Sequence, residues 1–188
     1  MRLFVALRPP ADIRAMLFDT TEATGPARWQ DDEQLHLTLR FLGDLERPAA
    51  EDVATALSQV RAPVPQVALA GVGRFADTLW AGVAPHDALA ALHRKVDQAC
   101  VRAGLAPERR AYAPHITLAR FARRASGDPA IARWLAAHAG LSSHVFAMPH
   151  LVLYSSTLGR DGAQYEALAR WPLGTPDAVA GWHVAQGE

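Results

Sequence analysis

Two segments of this chain repeat one short pattern of histidine, an apolar residue, threonine and leucine. The first segment is "LHLTLRFLG", residues 35–43, and the second is "PHITLARF", residues 114–121. The two histidines lie 79 residues apart, and Arg-Phe follows close behind each copy. Both copies alternate apolar and polar residues, as half-buried strands do. A chain of 188 residues suits one domain of ordinary size or one domain made of two similar lobes, and the repeat favours one motif strand in each of two lobes.

Strand and helix signals alternate along the rest of the chain. Strands are expected at residues 2–8 and in the runs "VALAGVGRF", "TLWAGVA", "HVFAM", "HLVLYSS" and "YEALARW". Helices are expected near residues 10–23, 48–60, 86–104 and 128–139, where prolines and glycines mark several of the ends. Because this order does not follow strict βαβ repeats, the predicted fold class is α+β with a mixed or antiparallel sheet.

The chain shows no internal linker long enough to separate independent domains. We therefore predict a single domain over residues 1–173. Residues 174–188 follow Pro172 and contain Gly174, Pro176, Gly181 and Gly187. Glycine and proline at this density predict a weakly structured tail.

Composition narrows the classes of protein that this chain can belong to. Nineteen basic and nineteen acidic residues cancel, so no overall field draws the protein to nucleic acid or an anionic membrane, and any anion site must be local. No apolar run is long enough for a signal peptide or a membrane span. Cys100 is the only cysteine, so no intramolecular disulfide can form. We expect a cytoplasmic monomer that uses no membrane.

The first motif places polar side chains on one face of its strand. Side chains alternate between the faces of a strand, so His36, Thr38 and Arg40 are expected together on one face. Leu37 and Leu39 then point to the core. We expect the polar face to carry the chemistry, and strict alternation would add Arg40 to it.

The second motif differs in the position of its arginine. His115 and Thr117 share a face, but strict alternation would turn Arg120 into the core. An unpaired arginine is costly to bury. We therefore expect a β-bulge, or the end of the strand near Ala119, to turn Arg120 back to the motif face.

Two His-x-Thr pairs facing one cleft suit in-line displacement at phosphorus. A histidine can give or take a proton near neutral pH, so one ring can activate the nucleophile while the other protonates the leaving oxygen. Threonine hydroxyls and an arginine can hold the non-bridging oxygens. From the repeat alone, the acid and base roles of the two histidines remain open.

These residue types also have structural and metal-binding interpretations. A single histidine on a strand is more often structural, and we interpret the remaining six histidines in that way. A catalytic metal needs three or four ligands, commonly with HxxxH or HxH spacing, which the chain lacks. The acidic residues near the first motif, Asp31, Asp32 and Asp44, occupy turn positions where solvated carboxylates are common. No phosphate-binding loop or dinucleotide fingerprint is present, so we expect neither a metal nor a cofactor.

The paired "HLTLRFLG" and "PHITLAR" segments resemble the signatures of the two-histidine (2H) phosphoesterases. The closer resemblance is to the bacterial RNA 2',3'-cyclic phosphodiesterases, also called 2'-5' RNA ligase-like proteins. It extends to "RLFVALRPP" at the start, Trp29, "LWAGV" at residues 79–83 and "YEALARWPL" at residues 165–173. The resemblance thus covers roughly residues 2–173.

The resemblance implies a bilobal α+β fold in which two pseudo-symmetric lobes, with helices outside, each contribute one motif strand to a central groove. It implies opening of a terminal 2',3'-cyclic phosphate on RNA to a 2'-phosphate, with reverse joining of RNA ends through a 2'-5' linkage. His36 matches the proton donor and His115 the proton acceptor. Thr38, Thr117 and Arg120 match phosphate-binding residues. No metal or cofactor is implied.

Two further hypotheses stay open at this point. One is a protein that binds RNA ends or a small nucleotide without turnover. The other is a related hydrolase of 2'-5' oligonucleotides or small cyclic nucleotides, since the motif binds the phosphate and not the base. Phe4, Phe41 and Tyr112 could stack on a base, although each is equally consistent with a core position.

Overall fold

The computed structural model describes residues 1–22, 25–159 and 162–174. Within them the strands are β1 (Arg2–Leu7), β2 (Arg28–Trp29), β3 (Leu37–Asp44), β4 (Gln66–Phe75), β5 (Thr78–Ala84), β6 (His115–Arg120), β7 (Phe146–Ala147), β8 (His150–Gly159) and β9 (Gly162–Pro172). The helices are α1 (Ala11–Phe18), α2 (Arg47–Ser58), α3 (Asp87–Arg102) and α4 (Pro129–Ala137). The part of the predicted tail beyond Gly174 lies outside the described residues.

The strands pair in the order β7-β4-β5-β6-β3-β1-β8-β9, and β2 pairs with β6. Every pairing between these strands is antiparallel. We call β1, β3, β8 and β9 the first lobe and β4, β5, β6 and β7 the second lobe. The lobes meet where β3 and β6 share one registered pair, Leu37 and Ile116. The predicted α+β class with two lobes around motif strands is confirmed.

The two halves of the chain exchange strands, since β4 joins the second lobe and β8 and β9 join the first. The first half runs β1-α1-β3-α2-β4, and the second runs β5-α3-β6-α4, then β7, β8 and β9. Strands β4 and β8 cross between the halves, since β4 pairs with β5 and β8 pairs with β1. Each lobe is therefore completed by chain from the other half.

The helices cover one face of the sheet. All four helices contribute buried residues to the main core, including Ile13, Val53, Leu92 and Trp134. A second, smaller cluster comes from strands alone and is formed by Phe4, Ala6, Val152 and Tyr154, with Tyr165 packed against it. The second cluster therefore marks the face that the helices leave uncovered, which we call the groove face.

Helix α1 is shorter than its sequence pattern predicts. The pattern favours a helix near residues 10–23, but α1 ends at Phe18. The Thr20 hydroxyl donates to the Leu17 carbonyl at 2.7 Å, and the Thr21 amide donates to the Phe18 carbonyl at 2.9 Å. These bonds replace the next helical turn.

In the described part of the chain, no helix has the length and apolar character needed to cross a bilayer.

Candidate active site

The two motif histidines lie at the junction between the lobes. His36 immediately precedes β3, and His115 is the first residue of β6. Their neighbours Leu37 and Ile116 form the registered pair between these antiparallel strands. Antiparallel order places His36 beside Thr117 on the opposite strand, and His115 beside Thr38.

Each histidine ring is held by the backbone two residues earlier. Nδ1 of His36 lies 2.6 Å from the Gln34 carbonyl oxygen, and Nδ1 of His115 lies 2.7 Å from that of Ala113. A carbonyl only accepts hydrogen bonds, so Nδ1 carries the proton that it donates. In the neutral ring Nε2 is then unprotonated, and among the described residues it has no hydrogen-bond partner. Both rings therefore offer Nε2 for proton transfer.

Aromatic side chains surround both rings. The His36 ring lies 4.8 Å from Phe4 and 5.2 Å from Tyr165, which meets it edge-on. The His115 ring lies 5.0 Å from Phe75, also edge-on, and 6.2 Å from Trp80. Of these four neighbours, sequence reasoning considered only Phe4. The other three, Tyr165, Phe75 and Trp80, lie on strands distant in sequence from the histidines. The alternating pattern of each strand indicates which face carries the side chain, but not that it lies beside a histidine.

Burial among these aromatic groups shifts the pKa values of both histidines downward. Burial lowers the pKa of His36 to about 4, and the charges of His115 and Arg120 act in the same direction. Burial also lowers the pKa of His115, again with a contribution from Arg120. The bond from each Nδ1 to a carbonyl opposes these shifts. Arg120 thus lies close enough to act on both rings.

A β-bulge returns Arg120 to the motif face, as the sequence predicts. Trp80 of β5 pairs with Thr117, and the preceding Leu79 pairs with Ala119, so Leu118 is an extra residue in β6. The Gln30 amide donates to the Leu118 carbonyl at 2.8 Å. Thr117 and Arg120 consequently share a face although they are three residues apart.

Arg120 is exposed, and its guanidinium has one long hydrogen bond within the described residues. It donates to the Thr78 hydroxyl at 3.4 Å, and Thr78 is its registered partner on β5. On the other side of β6, Arg28 pairs in register with Arg120. A small cavity is lined by both arginines together with Gln34 and Tyr165. Sequence reasoning did not single out Arg28.

The expectation that Arg40 lies on the motif face is wrong. Ala6 of β1 pairs with Thr38 and the preceding Val5 pairs with Arg40, so Leu39 is an extra residue that reverses the alternation. Arg40 is only 5% exposed. Its guanidinium forms a 2.6 Å salt bridge with Asp97 of α3 and donates to the Ala106 carbonyl. Arg40 therefore fastens α3 and the following loop to β3.

The threonines of both motifs remain available to a ligand. Thr38 and Thr117 are half-buried, and their registered partners Ala6 and Trp80 lie on the groove face of β1 and β5. Within the described residues, neither hydroxyl has a hydrogen-bond partner. Both hydroxyls can therefore donate to an oxygen bound between the two rings.

The histidines outside the motifs have local structural contacts wherever the structure describes them. Ring nitrogens of His86, His93 and His138 bond to backbone carbonyls. His144 pairs with Asp12, and His150 bonds to Arg170. His183 lies outside the described residues. No three His, Cys, Asp or Glu side chains in the described ranges cluster as a metal site would require.

The three aromatic residues considered for stacking differ in position. Tyr112 stacks on His93 at 4.2 Å, on the helix-covered side of β3, where His93 bonds to Leu39. Phe4 is 3% exposed and contacts His36 on the groove face. Phe41 is 58% exposed and lies 6.1 Å from Phe4. Only Phe4 and Phe41 therefore lie near the motif residues.

Comparison with known proteins identifies the family. The model of the 2'-5' RNA ligase superfamily matches residues 8–160. The chain belongs to this superfamily. Its relatives include an RNA 2',3'-cyclic phosphodiesterase of Geobacillus stearothermophilus, 36% identical over 84% of this chain. The chain spans about half of that relative's length, since the match covers 52% of it.

Other members of the superfamily match over nearly their whole length. The RNA 2',3'-cyclic phosphodiesterase of Aeropyrum pernix is 29% identical over 82% of this chain and 91% of its own. The crystal structure of Escherichia coli LigT complexed with 3'-AMP has a TM-score of 0.76 and 27% identity, covering 93% of this chain and 98% of LigT. The predicted family resemblance is confirmed.

Proposed function

We propose that the protein opens terminal 2',3'-cyclic phosphates on RNA to 2'-phosphates. The observation that carries this proposal is the pair of histidines on adjacent antiparallel strands, each with Nδ1 bonded to a carbonyl and Nε2 available. Two proton-transfer groups with an arginine close to both match the needs of in-line displacement at phosphorus. The names of the Geobacillus and Aeropyrum relatives, and the 3'-AMP bound to LigT, support a ribonucleotide phosphate as the ligand.

The proposed reaction moves one proton at each histidine. Water attacks phosphorus opposite the 3'-oxygen, and its proton passes to Nε2 of His115. The bond from phosphorus to the 3'-oxygen breaks, and that oxygen receives the proton carried by His36. The product has a 2'-phosphate and a 3'-hydroxyl, and proton exchange with solvent restores the two rings. If an RNA 5'-hydroxyl replaces water, the same steps give a 2'-5' linkage.

Thr38, Thr117 and Arg120 are proposed to hold the non-bridging oxygens. Charge builds up on these oxygens in the transition state, and donors that are already in position stabilise it without reorganisation. The bulge at Leu118 matters here because it brings the charge of Arg120 to the same face as Thr117. Arg120 has only a long bond to Thr78, so little is lost when it turns to phosphate.

Substrate binding is proposed to raise the pKa of His36, so that the ring takes up a proton from solvent. A pKa of about 4 keeps this ring neutral at pH 7 when no anion is beside it. The cyclic phosphate carries a negative charge, and a nearby opposite charge favours the protonated ring. The aromatic surroundings would then make the bound imidazolium a strong acid, ready to protonate the departing oxygen.

A panel of cyclic-phosphate substrates with product identification tests the proposal. We expect turnover of RNA 2',3'-cyclic phosphate to the 2'-phosphate, retained after prolonged dialysis against a strong chelator. Loss of activity on removal of a stoichiometric metal would contradict the two-histidine mechanism. Binding without turnover would indicate an RNA-end binding protein. Turnover confined to 2'-5' oligonucleotides or small cyclic nucleotides would change the substrate class. We further expect a monomer, since one chain supplies both motifs, and a cytoplasmic location.

A further inference from the structure

A cavity of about 480 Å³ opens on the groove face of the first lobe. Its floor contains Val152 and Tyr154 of β8 with Tyr165 and Ala167 of β9, and Arg170 lies at its far end. The reaction described above needs only the two motifs and Arg120, so it leaves this space without a role. The volume falls in the range that holds small ligands.

The two lobes differ in side-chain size at equivalent positions on the groove face. Thr38 pairs with Ala6, and Ala6 in turn pairs with Val152. At the corresponding positions of the second lobe, Thr117 pairs with Trp80, and Trp80 pairs with Gly73. The Trp80 indole lies directly over Gly73. An indole thus covers Gly73 in the second lobe, whereas the corresponding residue of the first lobe, Val152, lines the cavity.

The cavity is continuous with the reaction site through two tyrosines. Tyr154 and Tyr165 line it, and their rings lie 6.2 Å and 5.2 Å from the His36 ring. Tyr154 also stacks on Phe4 at 5.2 Å. An aromatic floor therefore leads from His36 into the cavity, and flat rings of this kind accept nucleic acid bases without regard to sequence.

The far end of the cavity carries a positive charge. Tyr154 pairs with Ala167 and the preceding Leu153 pairs with Ala169, so Leu168 is an extra residue in β9. This bulge brings Arg170 to the same face as Ala167. Arg170 pairs with Val152, two residues from Tyr154, a distance of roughly 7 Å along a strand.

The charge of Arg170 is not neutralised by a carboxylate in the part of the chain that the structure describes. Its guanidinium donates to Nδ1 of His150 at 2.9 Å, and it takes part in no salt bridge there. The other arginines of the cavity, Arg8 and Arg14, are bonded to Asp32, and Arg8 also to Glu33. Arg170 is therefore the cavity arginine available to an anion.

In-line geometry determines the side on which the rest of the RNA lies. Water enters next to His115, and the ribose oxygen leaves on the opposite side of phosphorus, next to His36. The ribose and the chain attached to it must therefore extend from the His36 side. The cavity opens on that side, and its floor continues from His36 to Arg170.

We propose that the cavity binds the nucleotide that precedes the terminal one, with the phosphodiester between the two nucleotides on Arg170. This inference rests on the proposed function. The enzyme would consequently prefer an RNA end to a free nucleoside 2',3'-cyclic phosphate. Tyr165, which is half-buried, supplies stacking surface, and Arg170 supplies a charge-assisted hydrogen bond to the phosphodiester.

Steady-state kinetics on two matched substrates test this subsite. The substrates are a nucleoside 2',3'-cyclic phosphate and the dinucleotide that ends in the same nucleoside 2',3'-cyclic phosphate. We expect kcat/KM to be about tenfold or more higher for the dinucleotide, as one charge-assisted bond allows. Arg170→Ala should lower that preference by about tenfold. Ala167→Trp, a substitution at an exposed position that fills the cavity, should lower it as well.

Arg133→Ala is the control for the removed charge, since Arg133 lies on the exposed side of α4. It should leave the ratio of the two kcat/KM values unchanged. Equal kcat/KM for both substrates in the natural enzyme would overturn the subsite. An Arg170→Ala variant that retains the full dinucleotide preference would overturn it too. The same holds if this substitution lowers kcat/KM by the same factor for both substrates. Failure of the natural enzyme to turn over either substrate would instead reject the proposed function on which the subsite rests.

Discussion

The two lobes share a backbone device but fill it with different side chains. Each motif is followed by a leucine bulge, Leu39 in the first lobe and Leu118 in the second, at the same offset of 79 residues as the histidines. The residue that the bulge returns to the groove face is Phe41 in the first lobe and Arg120 in the second. The fold therefore repeats this backbone position in both lobes, but only the second lobe has a positively charged residue at it.

The partners across the strand follow the same division. Phe41 pairs with Phe4, whereas Arg120 pairs with Thr78. Both histidines thus have aromatic neighbours, but the second lobe also has a guanidinium beside a hydroxyl. This difference teaches that a duplicated scaffold can keep aromatic surroundings for both rings and place the positive charge in one lobe alone.

Removal of either histidine should have the largest effect. We expect His36→Ala and His115→Ala each to lower kcat by about 10²- to 10⁴-fold, because each removes one proton transfer. The double variant should lose little more, since the rings act as a unit. Kinetics on a cyclic-phosphate RNA give these values. A double variant that loses the product of the two single effects would show that the rings act independently.

A substrate with a good leaving group distinguishes the roles of the two histidines. A nucleotide nitrophenyl ester needs little protonation of its leaving oxygen, so it should rescue His36→Ala far more than His115→Ala. Comparison of each variant on the two substrates gives the rescue. Equal rescue of both variants would contradict the roles, and a 3'-phosphate product from RNA would contradict only the choice of leaving oxygen.

Arg120→Ala should show that the charge resides in one lobe. We expect kcat/KM to fall by on the order of 10²-fold with little change in Tm, because the side chain is exposed and acts on the phosphate. Phe41→Ala, the equivalent change in the first lobe, is the matched variant and should lower kcat/KM far less. Comparable losses in the two variants would remove the proposed asymmetry. A large drop in Tm for Arg120→Ala would make this arginine structural.

Arg40→Ala should have the opposite profile to Arg120→Ala. The substitution leaves Asp97 partly buried without its partner and removes a bond to the loop after α3. Loss of one member of such a pair costs about 3 kcal/mol of unfolding free energy, which urea denaturation can measure. The residual activity of the folded variant should stay far closer to the natural enzyme than that of Arg120→Ala. Unchanged stability would indicate that the pair contributes nothing.

The pH dependence of stability should reveal a smaller difference between the histidines. Their pKa values in the folded protein lie below the usual value of 6.5. Below pH 6.5 the unfolded chain therefore binds more protons than the folded protein does. The unfolding free energy should therefore decrease as the pH falls from about 6.5 to about 4. His36→Gln should flatten this decrease more than His115→Gln. Denaturation at pH 6.5 and pH 4.5 measures both slopes, and equal flattening would place the two rings in equivalent surroundings.

The sequence predicted the motif strands better than it predicted side-chain direction. Alternation located β3 and β6 and placed Thr38 and Thr117 correctly. The rule failed for Arg40 because the extra residue Leu39 is visible only in the pairing with β1. In β6 the bulge was predicted, since a buried Arg120 would have been costly.

The surroundings of the histidines could not be derived from local patterns. Phe75, Trp80, Tyr154 and Tyr165 reach the rings through pairings between strands distant in the chain. A period of two indicates that such side chains share a face but not which strand lies beside which. The positions of the motif histidines were therefore more predictable than the surroundings that shift their pKa values.

The exchange of strands between the halves has a consequence for the order in which the chain acquires its structure. The β4-β5 hairpin and β6 come from one continuous stretch, residues 66–120, whereas Arg2 of β1 pairs with Ser156 of β8. Contacts between neighbours in sequence form faster than those that close a long loop. The surroundings of His115 should therefore assemble before those of His36, and amide protection during refolding should appear in β5 before β1. During synthesis, all strands of the second lobe are made before β8 and β9 of the first lobe.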